Sequence, residues 1–263
     1  MYTCYLAEQH FPSLKDAFAH FSRLGVEEAD ILDFELENLP LADYCRALRS
    51  AKIKPGAVVS CARIISPDKY ERIAETNRVK SLIDEASREK IPTIMLAPSV
   101  EYGMDLAEMK DIMLSSYGEI CEYANTRGIR SAIENQSSKK RSDSRTNDVC
   151  DILKSIPNLD FILDFGNFFC IGEDVLKAYA LLRERTVRAH VKDWTYANDG
   201  NMTGSDEKRF CGTAIGDGFL PCSKLISLMK KDRLDVSLVL EINSKKVTLD
   251  MLERSAIFLK NQI

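Results

Sequence analysis

Short apolar runs recur about every thirty residues along this chain, and stretches with apolar positions three or four apart follow them. Runs of four to eight residues rich in Val, Ile and Leu suit strands buried on both faces, and the wider spacing suits helices with one apolar side. The runs lie at 3–6, 29–35, 57–63, 93–97, 131–134, 161–164, 187–191 and 236–241, which makes eight. Among the helices, 106–127 is the clearest, because Leu106, Met109, Met113, Tyr117, Ile120 and Ala124 share one face and Gly128 supplies a stop. Ser13 and Thr146 are expected to open the first and fifth helices. In the second strand, Asp33, Glu35 and Glu37 alternate with Leu32, Phe34 and Leu36, which puts the acids on one face, with Glu35 either lining the mouth of a pocket or lying on the surface near the strand end.

Eight βα units in one chain without a linker predict the α/β class and a single (β/α)₈ TIM barrel over residues 1–263, with an open doubly wound sheet as the alternative. One connection breaks the rhythm. About thirty residues separate Lys192 from Pro221, and their middle, Tyr196 to Gly204, is polar and turn-rich. A structureless stretch of that length, placed after a barrel strand, is expected to be a loop covering a substrate.

Composition adds mainly exclusions. A net charge of −4 with no long run of Lys and Arg argues against a nucleic-acid partner. No apolar run approaches the roughly 20 residues of a membrane helix and no basic leader opens the chain, so no membrane association and a cytoplasmic location are expected. Eight cysteines are scattered without a C-x-x-C pair, the pattern of reduced residues used for packing.

Reactive groups of α/β barrels project from the C-terminal ends of strands. Four successive runs end there in ligand-type residues: Glu134, Asp164, His190 and Glu241. Burying three carboxylates and an imidazole side by side is costly through repulsion and desolvation unless a cation neutralises them. One divalent metal ion is therefore expected, Mn²⁺ first by donor type, with Mg²⁺, Co²⁺ and Zn²⁺ as alternatives. His10 and His20, in a loop and an amphipathic helix, carry no expected chemistry.

The segments Ile133-Glu134-Asn135, Leu163-Asp164-Phe165-Gly166-Asn167 and His190-Val191-Lys192-Asp193, then the glycine-rich Gly212 to Gly218 and a last strand ending in Glu241, follow one another in a telling order. In that order they resemble the xylose isomerase-like barrel superfamily of sugar and sugar-phosphate isomerases, epimerases and related dehydratases, over essentially the whole chain. The resemblance implies that Glu134, Asp164, His190 and Glu241 are metal ligands. It also implies that Glu134 and Glu241 shuttle a proton at carbons next to a carbonyl, in a sugar or sugar-derived substrate. A cation beside the carbonyl oxygen stabilises the enediolate left when a carboxylate removes that proton. Returning the proton elsewhere gives isomerisation or epimerisation, whereas expelling a β-hydroxyl gives dehydration of an inosose or keto-acid.

Substrate contacts are expected from the same segments, each beside a plainer role. Asn167 contacts a hydroxyl or caps its turn; Lys192 binds a substrate oxygen while Asp193 orients it, or the two form a solvated pair. Arg209 reaches a phosphate or hydroxyl, or lies on the surface; Trp194 walls the pocket or packs under the long loop. Family habit implies a dimer or tetramer. An abasic-site endonuclease would need a histidine-rich multi-metal cluster, and three histidines in all count against it. A non-catalytic sugar-binding barrel is opposed by intact ligand types at all four strand ends.

Overall fold

The computed structural model describes residues 10–99 and 103–262, so the expected strand at 3–6 lies outside the described residues. The other seven expected runs are all strands: β1 (Glu28–Leu32), β2 (Lys54–Ser60), β3 (Thr93–Leu96), β4 (Arg130–Glu134), β5 (Leu159–Asp164), β6 (Thr186–Val191) and, late in the chain, β10 (Ser237–Leu240). They form one parallel sheet in chain order, β1-β2-β3-β4-β5-β6-β10. Helices alternate with these strands: α1 (Leu14–Arg23), α2 (Leu41–Ser50), α3 (Lys69–Arg88), α4 (Leu106–Asn125), α5 (Thr146–Ser155), α6 (Phe165–Cys170), α7 (Val175–Leu182), α8 (Cys222–Lys231) and α9 (Leu249–Gln262), of which α2 to α8 lie in the crossovers that parallel pairing requires.

The sheet curls into a nearly closed barrel. Ser237 on β10 donates a hydrogen bond to Glu28 on β1 at 2.8 Å, and Arg188 on β6 reaches Glu28 at 3.1 Å and Asp30 at 2.6 Å. These contacts bring the two outer strands of the described sheet together, which an open doubly wound sheet would not do.

Side chains alternate along each strand, so the interior is read two residues at a time. A middle layer holds Val59, Met95, Ala132 and Ile162, with Leu32 and Val187 packed against it. Two residues before Leu32 lies Asp30, and two before His190 lies Arg188, so a buried ion pair floors the N-terminal end. Two residues after Ala132 and Ile162 come Glu134 and Asp164 at the C-terminal end. The opposite strand faces, among them Val58, Ile94, Ile133 and Leu163, join the helices in the larger apolar core.

Ser13 caps α1 as expected, accepting the Asp16 N–H at 3.2 Å, and Gly128 follows α4 with φ of +69°. Thr146 is the first residue of α5 rather than its cap; Glu173, from the loop before α7, accepts both its N–H and its hydroxyl.

Two expectations are corrected. Residues 33–37 form a 3₁₀ turn instead of extending the strand, because pairing with β2 ends at Leu32. Asp33 is buried and accepts from Cys61 N and Arg78 at 3.1 Å each, while Glu35 folds back on Leu32 N at 3.4 Å, so the acids do not share a strand face. The long connection is also structured. It carries a three-stranded antiparallel sheet, β7 (Trp194–Tyr196), β8 (Met202–Thr203) and β9 (Arg209–Gly212), in the order β7-β9-β8. Trp194 and Phe210 pin it, both buried with ring centroids 5.1 Å apart. Among the described residues seven cysteines are free, and no helix is long and apolar enough to cross a membrane.

Candidate metal centre

Neighbouring parallel strands stand about 4.8 Å apart, so residues level with one another at adjacent strand ends meet. Asp164 is paired in register with His190, and Glu134 with Ile162, two positions before Asp164. Beyond β10, the Glu241 N–H still bonds Val191 O at 3.1 Å, which brings its side chain to the same rim. One ligand atom from each of Glu134, Asp164, His190 and Glu241 therefore lies within 4.8 Å of the others.

Asp164 is held from behind. Asp164 Oδ1 accepts the N–H groups of Gly166 at 2.8 Å and Asn167 at 2.6 Å, capping α6 and turning Oδ2 toward the cluster. Asn135, fully buried, grips the Asp164 backbone twice, accepting its N–H at 2.9 Å and donating to its carbonyl at 3.2 Å. His190 Nδ1 lies between the two glutamates, 2.6 Å from Glu134 Oε1 and 3.2 Å from Glu241 Oε2. Glu241, with 20% of its side chain exposed, is the most open member of the set.

The atoms facing the middle of this cluster suit a cation. Asp164 Oδ2 and Glu241 Oε2 are buried and meet only ionisable nitrogens, Lys192 Nζ at 2.8 Å and His190 Nδ1 at 3.2 Å. Carboxylate and imidazole donors at this spacing match the needs of one divalent ion, so the residues fit the metal that the sequence implies.

Charge dominates the electrostatics. Burial works against a charged imidazole at His190, but Glu134 and Glu241 outweigh it and raise its pKa to about 10. Burial likewise opposes a charged Lys192, and Asp164, Glu241 and Glu134 more than reverse that, holding its pKa well above the usual range. Burial pushes the Asp164 carboxyl up, whereas at Glu241 Lys192 and His190 overcome burial and hold the carboxyl low.

The other expected contacts fall in different places. Lys192 is buried inside the cluster, 2.8 Å from both Asp164 Oδ2 and Glu241 Oε1. Asn167 is used up internally, donating to Asn135 O at 2.9 Å and accepting from Lys192 at 3.4 Å. Asp193 turns the other way: Oδ1 accepts the N–H groups of Trp194 at 2.9 Å and Leu220 at 3.0 Å, and Oδ2 those of Gly216 and Gly218 at 3.0 Å each. A Cβ on Gly218 would collide with that carboxylate, which explains a glycine there. Trp194 is fully buried and donates to Gly166 O at 3.3 Å, so it packs beneath the small sheet. Arg209 is exposed on β9 and bonds Gly200 O at 2.6 Å, and Glu35 remains in its 3₁₀ turn.

The residue that sequence reasoning passed over is Asn135. Its signal is an amide directly after a strand-tip glutamate, where an apolar run has ended inside the protein.

Comparison with known proteins places this geometry. The family model described as xylose isomerase-like TIM barrel matches residues 21–262. No curated protein matches the sequence significantly. Among solved structures, D-psicose 3-epimerase with D-tagatose from Clostridium cellulolyticum H10 superposes with a TM-score of 0.76 at 14% identity, covering 94% of this chain and 91% of that one. A xylose isomerase-like TIM barrel protein from Mycobacterium smegmatis in complex with magnesium gives 0.75 at 13% identity, covering 94% and 87%. A 3-keto-D-glucoside 4-epimerase from E. coli in its apo form gives 0.74 at 12% identity, covering 95% and 94%. Identities this low carry the fold and nothing finer.

Proposed function

We propose that this chain, which belongs to the xylose isomerase-like TIM barrel family, is a divalent-metal-dependent epimerase or isomerase of a sugar or sugar-derived ketone. The observation that carries this reading is the convergence of Glu134, Asp164, His190 and Glu241 at the C-terminal rim of the barrel, with buried oxygens turned inward. The epimerase names of the structural neighbours support it.

These four residues would hold one ion, Mn²⁺ by first preference and Mg²⁺ next. When bound, the ion supplies positive charge beside a substrate carbonyl, where negative charge develops during enolisation. The proton work belongs to the glutamates. One carboxylate takes the proton from the carbon next to the carbonyl; the C–H pair becomes the enediolate double bond and the carbonyl π pair passes to oxygen. The other glutamate, entering protonated, returns a proton to the opposite face of that carbon for epimerisation, or to the former carbonyl carbon for isomerisation, in which the neighbouring hydroxyl passes its proton to the former carbonyl oxygen and its O–H pair becomes the new C=O bond. His190, between the two glutamates, fixes their separation. We also place the protein in the cytoplasm, since its free cysteines suit a reducing compartment.

The test is solvent exchange. The metal-loaded protein is incubated in deuterated water with ketoses, sugar phosphates and inososes, and NMR is expected to show deuterium entering one substrate next to its carbonyl. Glu241→Gln, which keeps volume and removes the base, should lower that rate at least about 100-fold with an unchanged circular dichroism spectrum. Exchange at the wild-type rate in this variant would remove Glu241 from the mechanism. A dehydrated product would instead assign the dehydratase outcome.

A further inference from the structure

Lys192 directly follows β6, two positions after His190, and its side chain reaches the same inner face of the barrel. Its ammonium stands 2.8 Å from Asp164 Oδ2, 2.8 Å from Glu241 Oε1 and 3.4 Å from Asn167 Oδ1. Two of the four candidate metal ligands thus already carry a resident cation. This lysine is also built in. Its side chain is buried, and the Asn167 amide beside it is fixed by its own bond to Asn135 O at 2.9 Å.

We propose that Lys192 is the built-in counter-ion of the site, neutralising Asp164 and Glu241 when no metal is bound and setting, by repulsion, how tightly the cluster takes a divalent ion. The inference rests on the metal reading above. Three carboxylates carry −3, Lys192 +1 and a divalent ion +2, so the loaded site is neutral when the imidazole is neutral. Without the lysine the same loaded site keeps a negative charge, and an incoming cation meets a stronger field. A lysine that mainly preorganised the ligands would act with the opposite sign, since its removal would let them splay and weaken binding.

Lys192→Met removes the charge, and Lys192→Gln removes it while keeping a donor for the carboxylates. The full chain, stripped with chelator, is titrated with Mn²⁺ by calorimetry and melted with and without Mn²⁺. Both variants are expected to bind Mn²⁺ about tenfold or more tightly than wild type. Their metal-free forms should melt lower than metal-free wild type, so the gain in Tm on adding Mn²⁺ widens. A methionine variant that folds only with Mn²⁺ present also supports the proposal, because the carboxylates then need a cation from outside. Unchanged or weaker Mn²⁺ binding in the glutamine variant overturns it. If neither wild type nor variant binds Mn²⁺, the metal reading falls, and the counter-ion role is decided by the metal-free melts alone: equal Tm values refute it.

Discussion

Replacing Asp193 by Asn separates a residue that holds the fold from one that touches substrate. The carboxylate accepts four backbone N–H groups, two on each oxygen, from Trp194, Leu220, Gly216 and Gly218. An asparagine keeps one acceptor oxygen and turns an NH₂ group toward the other two donors. A hydrogen bond to a charged group contributes about 1.5–3 kcal/mol, so two lost bonds cost about 3–6 kcal/mol if their donors stay buried. Leu220 is buried and Gly216 exposed, so the amide will rotate its NH₂ toward the Gly216 side, where water satisfies the stranded donors. That lowers the cost to about 2–4 kcal/mol. At about 2 °C per kcal/mol for a chain of this size, Tm should fall by about 4–8 °C. Limited proteolysis should locate the damage, with new cleavage confined to residues 212–220. A variant that melts within 1 °C of wild type and shows only a raised KM would refute the clamp and restore a substrate-binding role to Asp193.

Other perturbations test the scaffold. Arg188→Met strips the buried partner from Asp30, to which it is bound at 2.6 Å, and should destabilise by about 3–5 kcal/mol in urea unfolding; adding Asp30→Leu should recover most of that, and no recovery would contradict the pairing. Asn135→Ala frees the buried N–H and carbonyl of Asp164 and should cost about 2–4 kcal/mol, and metal analysis should show reduced occupancy; full occupancy at wild-type stability would mean that Asp164 needs no such support.

The four rim residues that the structure brings together were legible because each ends an apolar run at the C-terminal end of a strand. The same rule was silent about direction. In an extended chain, residues two apart point the same way, so His190 and Lys192 belong to one side and Asp193 to the other. Read with that alternation, the segment His190 to Asp193 divides into a buried cation and a loop clamp, as the structure shows. Residues 32–37 misled for a related reason. Alternating apolar and acidic residues suit a strand, yet a 3₁₀ turn serves once the strand has no partner beyond Leu32. The small sheet at β7, β8 and β9 was hidden because its strands are two to four residues long, too short for a periodicity, and its anchors Trp194 and Phe210 lie sixteen positions apart. Asn135 and Glu173 act across the fold, on Asp164 and Thr146, and no local pattern reports such contacts.

The two ends of the barrel interior differ in how their buried charges are held. Strand β6 and the residue after it send Arg188, His190 and Lys192 inward at successive two-residue steps. At the N-terminal end, Arg188 meets Asp30 and Glu28, and Ser237 ties Glu28 to the last strand, which closes the floor around its own charges. At the C-terminal end, Glu134, Asp164 and Glu241 face a single permanently charged lysine and an imidazole. Each charge taken from water and left uncompensated costs several kcal/mol, and here Lys192 and the His190 imidazole offset the three carboxylates only while both are protonated. Glu241, the most exposed of the four, marks the side on which the cluster opens to solvent.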